Sequence, residues 1–221
     1  ETEIIYENTE AALYLAPAAV FAAMAGHLAG LGLSPPRVLA ADYAHGFLLL
    51  EDLGDGLFAR ILEREPAREA ELYAAAVDVL VHLQRSPAPA GLPDLSAADW
   101  ARAAEFAFAW YRRAVTGDGS GDLAVLAALM REYADGPRVL ILRDYHAENL
   151  LWLPERAGVA RVGLLDFQLG QMGQAGYDLV SLLQDARRDV SAETEAAMVA
   201  RFVAATEAQG FDAAYAVLGA Q

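Results

Sequence analysis

The sequence has no cysteine and no lysine, and none of its apolar runs approaches the length of a membrane span. The lack of cysteine excludes disulfides and thiolate metal sites. All 16 basic residues are arginines, and with 31 acidic residues they give a formal net charge of −15. Nucleic acid is therefore not an expected partner, because binding to its backbone depends on clustered positive charge.

Two explanations of the acidity stay open. The carboxylates can serve solubility or adaptation to salt, or they can create a field that attracts a cationic substrate such as an aminoglycoside. Neither a membrane-spanning run nor a basic leader with an apolar stretch stands in the sequence. We therefore expect a cytoplasmic monomer without membrane contact. With 221 residues, 56% of them hydrophobic and many of those alanine, the chain should be helix-rich with a substantial core.

The segment 140–166 places three polar groups between short apolar runs. Asp144 is followed five residues later by Asn149, and Asp166 comes after a further apolar run. Short runs rich in branched residues and bounded by turn-forming residues predict strands. These runs are Val139–Leu142, Leu150–Leu153 and Val162–Leu165. The pattern puts Asp144 and Asn149 on one loop between two strands, and Asp166 at the end of the next strand.

Two carboxylates and an amide at this spacing suit magnesium and phosphoryl transfer. Mg²⁺ takes hard oxygen ligands and binds through one or two carboxylates together with substrate phosphates. One aspartate can hold the metal while the other accepts a proton from an attacking hydroxyl, which is the division of labour that phosphoryl transfer requires. The segment therefore predicts a site for phosphoryl transfer.

The residues Leu142–Asn149 and Leu165–Phe167 resemble the catalytic core of the aminoglycoside phosphotransferase and choline kinase branch of the protein-kinase-like fold. That branch carries a His-x-Asp-x-x-x-x-Asn loop followed by a strand that ends in aspartate. Within the branch, the chain is most similar to the bacterial kinases that phosphorylate the anomeric hydroxyl of N-acetylmuramate and N-acetylglucosamine. Four phrases carry this resemblance over roughly residues 11–190: LLLEDLGD (48–55), RDYHAENLLWLPER (143–156), LLDFQ (164–168) and YDLVSLLQDARRDV (177–190).

The resemblance implies an α+β, protein-kinase-like bilobal fold with ATP and Mg²⁺ as cofactors. A small β-rich N-lobe, expected to be incomplete, would take up residues 1–52 and end in the hinge. A larger, mostly helical C-lobe would take up residues 53–221. By the same resemblance Asp144 is the catalytic base, and Asn149 and Asp166 hold Mg²⁺.

The resemblance also places the adenine against the hinge at Leu48–Asp52. The cofactor-binding residues are then Glu51, Asp52 and Leu53. The candidate substrate contacts are His146, Glu148, Arg187 and Arg188. One interpretation of the two arginines is that they bind an acidic group such as the lactyl carboxylate of muramate, since arginine suits carboxylates. The other interpretation is a surface ion pair.

Three departures from the family pattern concern the chemistry. Leu142 takes the place of the first histidine in the family loop, and Arg143 takes the place of the usual glycine. Kinase-like folds also cover the phosphates with a turn in the N-lobe and ground them with a lysine, but this chain has no lysine and no glycine-rich turn before Gly26. Either an arginine or backbone groups neutralise the phosphates, or part of the lobe is absent from this sequence, and we expect the second.

Local patterns predict the elements around the site. In the N-lobe we expect strands at Glu3–Tyr6 and Ala11–Leu15 with a turn at Asn8-Thr9, a helix from Pro17 to Gly32, and a hairpin of Val38–Tyr43 with Phe47–Leu50. In the C-lobe we expect helices at Leu123–Tyr133, Tyr177–Gln184 and Glu193–Gln209, and a helix whose buried stripe is Leu72, Ala76, Val79 and Leu83.

The remaining C-lobe segments carry more specific predictions. Three prolines make Ser86–Ser96 a loop, and Ser96 or Asp99 can cap the next helix. The helical period of that helix is carried by Trp100, Ala103, Ala107, Trp110 and Ala114. Its tryptophans are expected in the core, with stacking on a sugar ring as the alternative. Gln168–Gly176 is expected to be an irregular loop beside the metal, and the resemblance gives Asp178 a structural role near the catalytic loop.

These observations favour a phosphotransferase that moves the γ-phosphoryl group of ATP to a hydroxyl of a small molecule. The expected acceptor is an amino sugar, N-acetylmuramate or N-acetylglucosamine, in cell-wall recycling. The alternatives are an aminoglycoside kinase, which needs a cationic acceptor, and a non-catalytic kinase-like binding protein. The intact Asp144, Asn149 and Asp166 argue against the non-catalytic alternative, and the absent lysine argues for it.

Overall fold

The computed structural model describes the backbone of residues 4–6, 15–133 and 136–207, and the side chains of residues 18–132 and 136–207. The strands in these ranges are β1 (Ile4–Tyr6), β2 (Val38–Asp42), β3 (Phe47–Leu50), β4 (Arg138–Ile141), β5 (Leu150–Trp152), β6 (Val162–Leu164) and β7 (Gln171–Gln174). The helices are α1 (Leu15–Gly30), α2 (Phe58–Arg64), α3 (Glu69–Gln84), α4 (Ala97–Ala103), α5 (Arg113–Thr116), α6 (Leu123–Tyr133), α7 (Tyr177–Leu183) and α8 (Ala192–Glu207). None of these helices is both long and apolar enough to span a membrane.

The N-terminal part is an antiparallel sheet in the order β1-β3-β2, together with α1. The predicted hairpin is confirmed as β2 and β3, and the first predicted strand as β1. The strand predicted at Ala11–Leu15 is wrong at Leu15, where the alanine-rich α1 begins, and residues 7–14 lie outside the described residues. The predicted helix is confirmed as α1, which ends at Gly30, and Gly32 just beyond it has a φ of 77°, a conformation that glycine adopts without steric cost.

The connection between α1 and β2 ties this sheet to the C-terminal part of the chain. Ser34 is buried, its Oγ donates to the carbonyl oxygen of Ala160 at 2.6 Å, and its own carbonyl oxygen accepts from the N–H of Leu164 at 2.9 Å. The two parts are therefore joined at Ser34 as well as by the chain at residue 52. The division of the chain at residue 52 stays a prediction.

Two small antiparallel sheets flank the candidate site. β5 pairs with β6, so that Leu150 lies opposite Leu164, and β4 pairs with β7. The three strands predicted from the apolar runs are confirmed as β4, β5 and β6. Because β5 and β6 form a hairpin, the residue before β5 and the residues after β6 lie at the same end of it.

The strand β7 was not expected, and the prediction of an irregular loop at Gln168–Gly176 is wrong. Its glutamine, methionine and glycine residues give no strand pattern of their own. Gly173 makes the pairing with β4 possible, because a Cβ at this position would lie only 2.3 Å from Cδ1 of Ile141. Glycine in a strand commonly leaves room for a close neighbour, here the side chain of Ile141.

The C-terminal core is built around α3. Leu72, Ala76 and Val79 are fully buried and Leu83 nearly so, which confirms the predicted stripe. α3 packs against α8, α7, β4 and β6. Burying one leucine or valine side chain contributes about 1.5–3 kcal/mol relative to leaving it exposed. The stripe therefore provides a stable platform for the loop that follows β4.

The segment after the proline-rich loop departs from its predicted helix. Ser96 and Asp99 form a capping box at the start of α4, so the predicted cap is confirmed. The regular helix expected as far as Ala114 is wrong, because α4 ends at Ala103 and a π-helical stretch occupies residues 107–112. A π-helical turn is wider than an α-helical turn, so it shifts the faces of the helix. Trp110 is 71% exposed in this stretch, and its expected place in the core is wrong.

Candidate active site

The loop between β4 and β5 begins with a tight turn at Arg143. The N–H of Asp144 donates to the carbonyl oxygen of Leu142 at 3.0 Å, and Arg143 between them has a φ of 75°. Residues other than glycine rarely adopt this left-handed conformation, which costs on the order of 1–3 kcal/mol. This is the position where the family pattern has glycine, so the arginine here carries backbone strain that glycine would avoid.

Asp178, in the first turn of α7, holds this turn in place. Its Oδ2 accepts from the N–H of Leu142 at 2.7 Å, and its Oδ1 accepts from the N–H of Arg143 at 2.9 Å. Burial raises the pKa of the Asp178 carboxyl group to about 7; the negative charge of Asp144 adds to this, and the two backbone N–H groups oppose it. The structural role expected for Asp178 beside the loop is confirmed by these contacts.

Two further contacts attach the loop to the helices beneath it. The hydroxyl of Tyr145 is buried and donates to the carbonyl oxygen of Ala76 in α3 at 2.9 Å. The N–H of Ala59 in α2 donates to the carbonyl oxygen of Ala147 at 3.0 Å. Tyr145 is not among the residues predicted from the sequence, where its one signal is an aromatic side chain in a polar loop. With Asp178, these contacts fix the loop to three helices.

In the described part of the chain, Asp144 is held by its backbone and not by its carboxylate. Its backbone N–H and carbonyl are both engaged, the carbonyl by Nδ2 of Asn149 at 2.9 Å. Among the residues that the structure describes, none forms a hydrogen bond or ion pair with its carboxylate oxygens. A half-buried carboxylate on a rigid loop can accept a proton from a hydroxyl bound in front of it.

Asn149 is held at the end of the same loop. Its N–H donates to the carbonyl oxygen of His146 at 2.9 Å, and its Nδ2 lies 3.2 Å from Nε2 of His146. Its carbonyl oxygen accepts from the N–H of Leu165 at 2.9 Å, which continues the β5–β6 ladder by one pair. Asn149 therefore sits directly across the hairpin from the residue before Asp166.

Asp166 ends this ladder with an unusual backbone conformation. Its φ of 55° lies in the left-handed region, so the chain leaves the strand at this residue and re-aims the side chain. Asp166 is exposed, and its Oδ1 accepts from Nε2 of Gln168 at 2.5 Å. The hairpin thus brings together the two residues that the sequence predicts as metal ligands.

The donor set of Asn149 and Asp166 fits Mg²⁺. An amide oxygen and a carboxylate are hard oxygen ligands, and Mg²⁺ commonly takes one or two such protein ligands while phosphates and waters fill its other positions. The exposure of Asp166 leaves room for those further ligands. In the part of the chain whose side chains are described, no cluster of three or more His, Asp and Glu residues forms another metal site.

The hinge residue Glu51 has its side chain bound by two arginines. Its Oε2 accepts from Nε of Arg37 at 3.0 Å, and its Oε1 accepts from Nη2 of Arg156 at 3.1 Å. Burial by itself would raise the pKa of Glu51, but the hydrogen bonds from Arg37 and the charges of both arginines outweigh it and lower the pKa. The carboxylate of Glu51 is therefore held within the protein, and a contact of Glu51 with a cofactor stays a prediction.

A pocket of about 540 Å³ opens beside the hinge. It contains all three residues predicted to bind the cofactor, but neither Asp144 nor the two predicted metal ligands. Its lining residues are Glu51, Asp52, Leu53, Asp55, Gly56, Ile61, Trp152, Leu153, Pro154, Glu155 and Arg156. This volume lies within the usual range for sites that bind small molecules, about 300–1,000 Å³.

Arg187 and Arg188 both contact carboxylates. Arg187 lies 3.5 Å from Glu148 and 3.1 Å from Asp185, and Arg188 lies 3.6 Å from Glu69. These contacts match the ion-pair interpretation of the two arginines. The pair with Glu148 also links the segment after α7 to the loop between β4 and β5. A substrate contact by either arginine stays a prediction, as it does for Glu148 and His146.

The chain is similar in sequence to known phosphotransferases. A model of the phosphotransferase enzyme family matches residues 9–217. The N-acetylmuramate/N-acetylglucosamine kinase of Caulobacter vibrioides is 44% identical over 219 residues, which cover 90% of this chain and 60% of that protein. The protein of the same name from Pseudomonas aeruginosa is 34% identical over 172 residues, which cover 75% of this chain and 49% of that protein. The chain thus spans about half to 60% of the length of these relatives.

A solved structure has the same architecture. The choline kinase LicA from Streptococcus pneumoniae matches with a TM-score of 0.64 at 14% identity, over 90% of this chain and 66% of that one. At this level of identity the likeness concerns the fold alone. It confirms the predicted protein-kinase-like α+β fold.

Proposed function

We propose, since the chain belongs to the phosphotransferase enzyme family, that the protein transfers the γ-phosphoryl group of ATP to a hydroxyl of an amino sugar. The observation that carries the proposal is the free carboxylate of Asp144 on a rigid loop that also presents Asn149, with Asp166 across the hairpin. The choice of N-acetylmuramate or N-acetylglucosamine as acceptor follows the known kinase of Caulobacter vibrioides that is 44% identical.

In the proposed reaction Asp144 orients the acceptor hydroxyl and accepts its proton. The hydroxyl oxygen forms a bond to the γ-phosphorus while the bond to the β–γ bridging oxygen breaks, and ADP leaves. Asn149 and Asp166 are the residues that would hold Mg²⁺, which when bound supplies positive charge to the phosphate oxygens. The contacts of Asp178 and Tyr145 keep Asp144 in position throughout.

The hinge supports the nucleotide in this proposal. The carbonyl oxygen of Glu51 and the N–H of Leu53 have no hydrogen bond to another residue in the described ranges. An acceptor and a donor two residues apart complement the amino group and ring nitrogen at the edge of adenine. From Trp152 in the pocket beside the hinge to the metal ligand Asn149, the chain covers about 10 Å, since a strand rises about 3.3 Å per residue. An extended nucleotide can span that distance.

The remaining predictions about partners belong to the same proposal. A kinase that uses ATP on a free sugar acts in the cytoplasm, and we keep the predictions of a monomer and of no nucleic-acid partner. An aminoglycoside kinase is the second candidate, because the net charge of −15 would attract a cationic acceptor. Its activity would fall steeply with salt, whereas phosphorylation of the uncharged N-acetylglucosamine would change little.

The test is ³¹P NMR of the full-length protein with Mg²⁺-ATP and, separately, N-acetylmuramate, N-acetylglucosamine, choline and kanamycin. We expect a new sugar 1-phosphate signal with the amino sugars. In Asp144→Asn, nucleotide binding should persist while kcat falls by about 10²–10⁴-fold, the usual contribution of general-base catalysis. Asp189→Asn makes the same chemical change at an exposed aspartate and should keep full activity. Full activity in Asp144→Asn would show that another group is the base.

A further inference from the structure

The side-chain amide of Asn149 is surrounded by two acceptors. Its Nδ2 lies 2.9 Å from the carbonyl oxygen of Asp144 and 3.2 Å from Nε2 of His146. An amide nitrogen has two N–H donors and the amide oxygen has none. If the amide were turned over, its oxygen would face the carbonyl oxygen of Asp144. The nitrogen therefore points into the loop, and Oδ1 points away from these acceptors.

This arrangement determines which nitrogen of His146 carries the proton. Nε2 must accept from Asn149, so the ring proton is on Nδ1. Nδ1 is buried and has no hydrogen-bond partner among the residues that the structure describes. An apolar ring would fill the same space without leaving a buried polar group unpaired. The histidine is therefore better explained by its contact with Asn149 than by packing.

We infer that His146 is a positioning residue that turns Oδ1 of Asn149 towards the cation, and not a contact for the sugar. The inference rests on the proposed function, because it takes Asn149 and Asp166 as the metal ligands. Its ring is only 5% exposed, and its one polar contact from Nε2 is with Asn149. With His146 as acceptor both N–H groups of the amide are occupied, and without it the amide keeps only the bond to Asp144.

Three variants separate positioning from packing. His146→Phe keeps a ring of similar size but removes the acceptor, and His146→Gln restores an amide oxygen near the position of Nε2. His82→Phe is the control, because His82 also forms its hydrogen bond through Nε2, but there Nε2 donates to the carbonyl oxygen of Leu31 at 2.7 Å in a different part of the fold. Thermal unfolding of each variant measures how much stability is lost.

The primary measurement is direct binding of Mn²⁺ in the presence of ATP, followed by electron paramagnetic resonance, since oxygen ligands that suit Mg²⁺ also suit Mn²⁺. We expect His146→Phe to weaken Mn²⁺ binding by about tenfold, the lower end of the effect of removing a group that orients a metal ligand. His146→Gln should recover most of this loss. His82→Phe should lower the unfolding temperature and leave Mn²⁺ binding unchanged. In ¹⁵N NMR, only His146→Phe should change the two side-chain amide protons of Asn149.

The variant Asp166→Ala separates a failure of the proposed metal site from a failure of the role proposed for His146. If Asp166→Ala binds Mn²⁺ and ATP like the unchanged protein, the metal ligands are wrong and the proposed function loses its site. If Asp166→Ala abolishes binding but His146→Phe binds Mn²⁺ with unchanged affinity and an unchanged Asn149 amide signal, the role of His146 is overturned while the proposed function stands.

Discussion

The buried carboxyl group of Asp178 makes the stability of the protein depend on pH in a direction that is unusual for an aspartate. Burial raises its pKa from an ordinary value of 3.8 to about 7, with a further contribution from the charge of Asp144. Between these two values the folded protein keeps a proton that the unfolded chain has released. Stability therefore falls as the pH rises through this range, and it levels off above the folded pKa.

The size of the effect follows from the same two values. Each pKa unit corresponds to about 1.4 kcal/mol, so a rise from 3.8 to about 7 is equivalent to about 4 kcal/mol. A domain of this kind has a free energy of unfolding of about 5–15 kcal/mol. The titration of Asp178 alone can therefore change a large fraction of the stability of the protein. The backbone N–H groups of Leu142 and Arg143 limit the loss, because they stabilise the ionised carboxylate.

The substitution Asp178→Asn isolates this contribution, because asparagine keeps the shape but cannot titrate. The quantity to compare is the free energy of unfolding of the wild-type protein minus that of the variant. We expect this difference to fall by about 4 kcal/mol as the pH rises from about 4 to about 8. Urea unfolding followed by tryptophan fluorescence at several pH values measures this difference. Asp189→Asn, at an exposed position, should give a difference that does not vary with pH. A constant difference for Asp178→Asn as well would refute the reasoning.

Two further predictions concern the backbone around the site. Arg143 has a φ of 75°, and only glycine relieves the strain of this conformation. Arg143→Gly should therefore be more stable than Arg143→Ala by about 1 kcal/mol in urea unfolding. Greater stability of the alanine variant would contradict the strained turn. Gly173→Ala, which places a Cβ 2.3 Å from Cδ1 of Ile141, should lower the free energy of unfolding by about 1–3 kcal/mol. Adding Ile141→Val should recover part of that loss. The control Gly26→Ala, in open space on α1, should cost nothing. Equal effects of Gly173→Ala and Gly26→Ala would disprove the close approach of Gly173 to Ile141.

The elements that local patterns predict correctly are those whose burial repeats along the sequence. The stripe of α3 follows the helical period, and the runs at β4, β5 and β6 are short, branched and bounded by turn formers. β7 fails this test because its pairing depends on a single glycine lying over Ile141, and that contact joins residues far apart in the chain. The π-helical stretch before α5 fails for a related reason, since its apolar residues keep a helical spacing although Trp110 is exposed.

In the candidate site, too, local patterns predict some features and miss others. The spacing of Asp144, Asn149 and Asp166 predicts oxygen ligands on a loop and at the end of a strand, and the hairpin brings the last two together. The hydrogen bonds that hold the loop could not be predicted from the sequence. Asp178 lies 35 and 36 residues from the N–H groups it accepts from, and Tyr145 lies 69 residues from Ala76. Contacts over such distances depend on how helices pack, which no short pattern encodes.

The buried contacts of Ser34 have a consequence for how the two parts of the protein can move. Ser34 is bonded to Ala160 and to Leu164, and Leu164 is two residues before Asp166. Two further contacts join the same parts, because Nε2 of His82 lies 2.7 Å from the carbonyl oxygen of Leu31 and Arg156 donates to Glu51. β2 and β3 lie between the anchors at Ser34 and Glu51, so this hairpin can bend without breaking them, whereas the backbone next to Asp166 is tied directly to Ser34.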